Sequence, residues 1–449
     1  MARRHVWTMT SVTVAAGVLT IALANAQPQL PPAENSDPVQ LGLMQGFPPA
    51  PDRIVTLQNA LKFPNNRWGW HNIRQLGPTA AVWRGRGGPS PLPAAPVELD
   101  RISFADESGT STTIADWQKK TLTDAILVLH RGRVAYERYY VGMRPEEPHA
   151  LWSATKSVTG LLATLLVHEG KIDRDAKVST YLPELADTAW GDASVQQVMD
   201  MTTGVRYREA FAPSAETGTV LLYLFSNGLV PAPANYPGPR TMFKYLETLK
   251  KDGEHGKAFS YKSVDTEVLG WIVRRVSGKR MSELLSERIW SEIGAEEDAY
   301  VWVDQAGTEV TAIGLSATLR DLARFGEMLR LGGSINGKRV LPQAVVDEIR
   351  KGGDRDKFKA GDSTPPRTGY SFHNQWWIAH DPDGSFEAHG LNSQHIHINP
   401  AAELVVVKFS SHSSESRVTH ALDRRAYAAL AATLRDRPRS RHVGHDAHK

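Results

Sequence analysis

Leu151-Trp152-Ser153-Ala154-Thr155-Lys156-Ser157-Val158-Thr159-Gly160 runs directly into the apolar segment 161–167. The stretch predicts a buried helix that ends near Glu169-Gly170, where a glycine suits the C-terminal cap. Ser153 falls in its first turn, and Lys156 lies three residues on, on the same face. A serine hydroxyl is a weak nucleophile until a base takes its proton. A lysine can be that base when burial or nearby positive charge depresses its pKa. Backbone N–H groups at the helix start can face a developing oxyanion. The pattern is short, so its meaning depends on partners elsewhere in the chain.

Two further stretches supply candidates. In Phe259-Ser260-Tyr261-Lys262-Ser263-Val264-Asp265-Thr266 a loop delivers Tyr261 to the mouth of a helix, and Ser263 adds a hydroxyl in the same turn. A tyrosine so placed can pass a proton. In Phe386-Glu387-Ala388-His389-Gly390-Leu391-Asn392, on or beside an edge strand, Gly390 permits close backbone approach to a ligand. The N–H that follows it can complete an oxyanion hole. His389, His395 and His397 also invite a metal reading, since positions i and i+2 of a strand share a face. No acidic residue or fourth ligand is evident beside them, so the expectation is no metal and no cofactor.

The remaining chain organises around these stretches. Residues 121–140 predict a hairpin: Ala125–Leu129 as a buried strand, Arg131-Gly132-Arg133 as the turn, Val134–Tyr140 as the return. Residues 171–300 predict short helices in long loops, near Ser194–Met201, Arg240–Leu249 and Val264–Val276. An amphipathic helix is expected over Leu315–Leu331, strands over Tyr370–Ile378, Ser385–Ala388, His395–Ile398 and Leu404–Phe409, and a last helix near Val418–Leu434. The order implies an α+β fold: one antiparallel sheet drawn from both ends of the chain, flanked by helices, beside a mostly helical lobe with the active site between them.

Bulk properties bound the function. The chain has 449 residues, 41% hydrophobic and 22% charged, with 52 basic against 49 acidic side chains. That balance does not suggest nucleic acid as a partner. There is no cysteine, which excludes disulfides, thiol catalysis and cysteine-type zinc sites. Arg3 and Arg4, the apolar stretch Val12–Leu23 and the small-residue run Ala24-Asn25-Ala26 make residues 1–26 read as a secretory signal peptide. Export to the periplasm or medium is therefore expected, with no membrane span after cleavage. Residues 27–55 are proline-rich and read as an extended leader without regular structure. Residues 56–120 are too apolar for a linker and are expected to pack on the body, with a Gly/Pro-rich boundary at 85–96. The main domain is expected at 121–434, and 435–449, with His442, His445 and His448, as a mobile tail.

Together the stretches resemble serine hydrolases related to class C β-lactamases and DD-peptidases, and most of all the 6-aminohexanoate-dimer hydrolase type. Ser153 to Lys156 matches S-x-x-K, Tyr261 to Ser263 matches Y-x-N/S, and Ala388-His389-Gly390 stands at the Lys-Thr-Gly-like strand. Met201-Thr202-Thr203-Gly204-Val205, the run 314–326, Phe63–Trp68 and Pro78–Trp83 agree as well. The resemblance implies a β-lactamase/transpeptidase-like fold. It implies Ser153 as nucleophile, Lys156 as base or as the charge that lets Tyr261 act as one, and Tyr261 as proton shuttle. It implies an oxyanion hole from the N–H groups of Ser153 and Leu391, and substrate contacts from Tyr207, Ser263, His389 and Gly390. Alanine at 388 replaces the lysine that recognises the carboxylate of β-lactams, with His389 as a partial substitute. The expected reaction is therefore cleavage of a small linear amide or ester through an acyl-enzyme. The alternatives are a β-lactamase or DD-peptidase, and a catalytically silent binding protein on the same fold.

Overall fold

The computed structural model describes residues 36–209, 219–361, 367–413 and 416–438. The segment 1–26, read above as a signal peptide, and His442, His445 and His448 lie outside the described residues. In chain order, α1 (Asn66–Asn72) and β1 (Thr79–Val82) precede a ribbon of β2 (Ser103–Ala105) and β3 (Ser111–Thr113), then α2 (Ile114–Lys120). The expected hairpin follows as β4 (Thr123–His130) and β5 (Arg133–Tyr139). It turns at Arg131 and Gly132, both at positive φ. Next come β6 (His149–Ala150) and the serine-bearing helix α3 (Thr155–His168). The helical lobe is α4 (Val178–Tyr181), α5 (Val195–Met199), α6 (Val220–Asn227), α7 (Met242–Thr248), α8 (Ser263–Ser277) and α9 (Met281–Leu285). β7 (Ala299–Trp302), β8 (Leu315–Ala317) and α10 (Leu319–Arg330) return the chain to the body. A ribbon of β9 (Ser334–Ile335) and β10 (Lys338–Arg339), then α11 (Gln343–Lys351) and α12 (Arg355–Gly361), lead to the last strands. These are β11 (Ser371–His373), β12 (Trp376–Ile378), β13 (Phe386–Gly390), β14 (Gln394–Asn399) and β15 (Leu404–Ser410), closed by α13 (Ser416–Arg435).

The main sheet has seven antiparallel strands in the order β11-β12-β13-β14-β15-β4-β5. β15 pairs with β4, Val406 opposite Val128, so the two ends of the chain meet in its middle. Both strands are apolar through their centres, Ala125–Leu129 and Leu404–Val407, because both faces are covered. Ala125, Leu127, Leu129, Val405, Val407 and Phe409 face the main core with α3 and α10. Ile126, Val128, Leu404 and Val406 face Trp117 of α2 and Ala426, Tyr427 and Leu430 of α13. A second sheet, β1-β7-β8-β6, ties residues 79–82 to the lobe's end.

Several elements differ from expectation. Leu315–Ala317 is a strand, because it pairs with both β7 and β6. The helix starts only at Leu319, where the Thr318 hydroxyl accepts the Asp321 N–H at 3.3 Å as an N-cap. Tyr370–Ile378 is a hairpin, since Asn374 and Gln375 sit at φ 48° and 70° and their N–H groups go to Asp200 and Met199. β13 is an interior strand and not an edge. Residues 36–55 are not unstructured: they form consecutive turns with a 3-10 turn at Pro51–Arg53, and Leu43 and Val55 are buried.

The N-terminal extension is held through one face of α1. The Asn66 amide donates to the Ser411 carbonyl at 3.1 Å, Arg67 pairs with Asp124 at 3.2 Å, and Trp70 donates to Asn392 at 3.2 Å. Trp70 also meets Trp152 edge-on, ring centres 4.7 Å apart.

Candidate active site

The helix that carries Lys156 is buried nearly all round, as suits the central element of a large core. Its close packing is specific: a side-chain carbon on Gly160 would stand 2.1 Å from the Asn374 carbonyl oxygen. A single 3-10 turn, Trp152–Ala154, precedes it. Trp152 sits at φ 50°, a conformation that costs a tryptophan about 1–3 kcal/mol and is sustained only by its surroundings. It re-aims the chain so that Ser153 stands at the mouth of the helix.

Lys156 is almost fully enclosed. Its Nζ donates to Ser153 Oγ at 3.0 Å and to the Ala312 carbonyl at 3.3 Å. Burial pulls its pKa from 10.5 to about 8, against the opposing pull of Glu209 and Glu267. The ammonium lies 5.1 Å from the centre of the Tyr261 ring. Tyr261 hydrogen-bonds Ser153, while burial drives its own pKa upward. The two candidate bases are thereby separated: near neutral pH the lysine can lose its proton and the phenol keeps one.

Tyr261 reaches the site from the loop that opens α8. Glu209 fastens that opening, its carboxylate accepting the Ser263 N–H at 2.5 Å, a favourable charge at a helix N-terminus. Lys262 turns inward, donating to the Thr203 carbonyl at 2.9 Å. Ser263 is buried in the first turn of α8. Tyr207 is 5% exposed, and its hydroxyl has no hydrogen-bond partner among the described residues although it shares the field of Glu209 and Tyr261. A buried polar tip left unpaired in this way can take an outside partner.

The third stretch divides. Gly390 approaches the serine turn so closely that a side-chain carbon there would stand 2.1 Å from the Leu151 carbonyl oxygen. The close approach foreseen for a ligand is thus made by the chain itself, and it brings the end of β13 against the turn that carries Ser153. His389 does not face the cleft. Strand alternation puts Phe386 and Ala388 in the main core and turns Glu387 and His389 to the other face. His389 Nε2 lies 2.5 Å from Glu387 and its Nδ1 lies 3.3 Å from Arg367. It is therefore not available to take a substrate carboxylate in place of the absent lysine. The acidic partner not evident from spacing is Glu387, which also holds His397 at 2.7 Å.

Sequence reasoning missed Glu209, Trp377 and Arg367 as well. Trp377 stacks on both Tyr261 and His389, ring centres 5.6 and 5.7 Å apart. The Arg367 guanidinium lies 3.9 Å from the centre of the same indole. No sequence pattern joins these residues, because the sheet and not the local chain brings them together.

A seven-stranded antiparallel sheet covered by helices, with a serine–lysine pair at the helical lobe, defines a serine hydrolase of the β-lactamase/transpeptidase fold. The β-lactamase family model matches residues 107–431, and the chain belongs to that family. It is 35% identical over 370 residues to a 6-aminohexanoate-dimer hydrolase of Paenarthrobacter ureafaciens, covering 81% of this chain and 90% of that protein. A solved structure provisionally named as a 6-aminohexanoate-dimer hydrolase of Bacillus anthracis superposes with a TM-score of 0.79 at 35% identity. That match covers 87% of this chain and all of the other. A family VIII carboxylesterase shares the fold at a TM-score of 0.53 and 17% identity, over 69% of this chain and 93% of its own.

Proposed function

We propose that this hydrolase cleaves the amide bond of short linear substrates of the 6-aminohexanoate-dimer kind, with Ser153, Lys156 and Tyr261 as the reacting groups. The observation that carries this reading is the 3.0 Å contact between Lys156 Nζ and Ser153 Oγ together with a lysine pKa near 8. Neutral Lys156 takes the Ser153 proton as Oγ attacks the carbonyl carbon. The N–H groups of Ser153 and Leu391 receive the oxyanion. The proton then passes from Lys156 through the Tyr261 hydroxyl to the leaving nitrogen, which departs as an amine and leaves an acyl-Ser153 ester. Water, deprotonated by Lys156, attacks that ester and restores the serine. Tyr207 offers its unpaired hydroxyl to the substrate amide. Gly390 sets the approach of Leu391, and Ser263 lines the same turn as Tyr261.

The relatives support an amide substrate, and Ala388, standing where β-lactam-recognising enzymes carry a cation, turns the reading away from β-lactams. Intact mass spectrometry after exposure to a fluorophosphonate and to p-nitrophenyl esters tests it. The protein should gain one adduct, and Ser153→Ala should gain none and hydrolyse no ester or linear amide. Labelling of the Ser153→Ala protein at the original rate would overturn the assignment. The export signal at 1–26 belongs to the same proposal. No described helix is long and apolar enough to cross a membrane. N-terminal sequencing of protein recovered from the periplasm or medium should begin at Gln27, whereas a retained Met1 would reject cleavage.

A further inference from the structure

Behind the Trp377 layer lies a group of imidazoles that the proposed reaction does not use. His389 on β13 and His395 on β14 face each other in register, and His420 comes in from α13. Their ring centres lie 4.5 Å (His389–His395), 4.6 Å (His389–His420) and 5.9 Å (His395–His420) apart. One ring nitrogen from each lies within 4.8 Å of the other two. His395 is 2% exposed and His420 1%. Among the described residues, neither nitrogen of either ring makes a hydrogen bond. Four unsatisfied ring nitrogens in one buried spot are costly, because each forgoes its bond to water.

We infer that His389, His395 and His420 bind a divalent transition-metal ion of the zinc type. Three neutral imidazoles are the donor set such ions prefer over magnesium or calcium. A tetrahedral ion with bonds of about 2.0–2.1 Å sets its nitrogens about 3.4 Å apart, so the rings close by up to about 1.5 Å, within reach of small side-chain rotations. Asp423 stands three residues beyond His420 on the same helix face, its carboxylate 3.4 Å from His395 Nε2; Trp117, Ser393 and Lys408 already hold that carboxylate, so it supports His395 from behind and the fourth position falls to water. Glu387 holds His389 through Nε2 at 2.5 Å, the carboxylate–histidine arrangement that orients metal ligands. The longer contact from Arg367 to Nδ1, at 3.3 Å, is the one that yields. Among the charged neighbours, Glu387 and Asp423 balance Arg367 and Lys408 before the ion adds its charge. The ion would fasten α13 to the sheet one aromatic layer behind Tyr261.

The test uses the full chain with His442, His445 and His448 replaced by glutamine, so that the tail does not capture metal. Dialysed against excess ZnCl2 and then metal-free buffer, it should retain about one zinc per chain, and zinc should raise its Tm. Zinc-edge absorption should show a nitrogen and oxygen shell only. CoCl2 should give the visible bands of a four-coordinate site. His420→Gln and His395→Gln should each weaken zinc binding at least about tenfold, while fluorophosphonate labelling of Ser153 reports that each variant is folded. If one variant fails to label, the other carries the comparison. Retention of less than about a tenth of an equivalent, or zinc binding unchanged in the variants, would overturn the site.

Discussion

If Lys156 is the base, the rate must follow its proton. With a pKa of about 8, Lys156 is neutral in about one molecule in a hundred at pH 6 and in about half at pH 8, so kcat/KM should climb about 50-fold between them and level off above pH 9. Tyr261 adds no second limb in this range, since its pKa is displaced upward. The informative perturbation is Glu209→Gln. Glu209 is the foremost charge opposing the depression of Lys156, so its removal should carry the midpoint to lower pH. The substitution keeps an oxygen to accept the Ser263 N–H. The assay is p-nitrophenyl ester and linear amide hydrolysis from pH 5.5 to 10, with saturation kinetics at each point. A profile flat from pH 6 to 9, or a midpoint that moves alkaline in Glu209→Gln, would refute the assignment of the base.

Lys156→Met should abolish activity yet stabilise the protein at pH 7. Below about pH 8 the lysine is charged in both folded and unfolded chains, so the cost of its burial is fully present. As pH rises from about 8 to 10.5 that cost is relieved. The gap from 10.5 to about 8 bounds the gain at about 3 kcal/mol, and urea unfolding at pH 7 and pH 10 should show the two proteins converging. Gly390→Ala forces the Leu151 carbonyl and the strand end apart, and an ångström of misplacement should cut kcat/KM about 100-fold with the circular dichroism spectrum retained; wild-type kinetics would show that this approach is not needed. Arg67→Ala leaves Asp124 buried without its guanidinium and should cost about 3–5 kcal/mol in urea unfolding, with hydrogen exchange accelerating first over residues 36–82.

Much of the fold was legible because its central elements are local and strongly patterned. The run at 125–129 is apolar on every residue and that at 404–409 on all but Lys408, and Leu161–Val167 reads as a buried helix without help. Failures came where tertiary pairing overrode a local pattern. Leu315–Ala317 continues the helical periodicity of the residues after it, yet pairs on both sides as a strand. Asn374 and Gln375 break a stretch of otherwise strand-like residues with two left-handed conformations. The sheet joining Thr79–Val82 to Ala299–Trp302 has no local signal. In the site, Ser153 and Lys156 share one turn and were visible, as was the short Tyr261–Ser263 run. Glu209 lies 54 residues from the N–H it accepts, and His420 sits in a helix whose apolar spacing conceals it. His389 was misplaced for a simpler reason: which face its side chain takes is fixed by register, and register is a property of the pair.

The grip of α1 bears on what counts as the enzyme. Trp70 touches the residue before the nucleophile and, through Asn392, the residue after Leu391. A fragment trimmed to the matched region 107–431 would keep every proposed reacting side chain and still lose the brace that holds both walls of the proposed oxyanion hole. The smallest working unit therefore begins before Asn66. Variation selected for altered turnover should appear in this helix, far upstream of Ser153 in the chain and in contact with its neighbours in space.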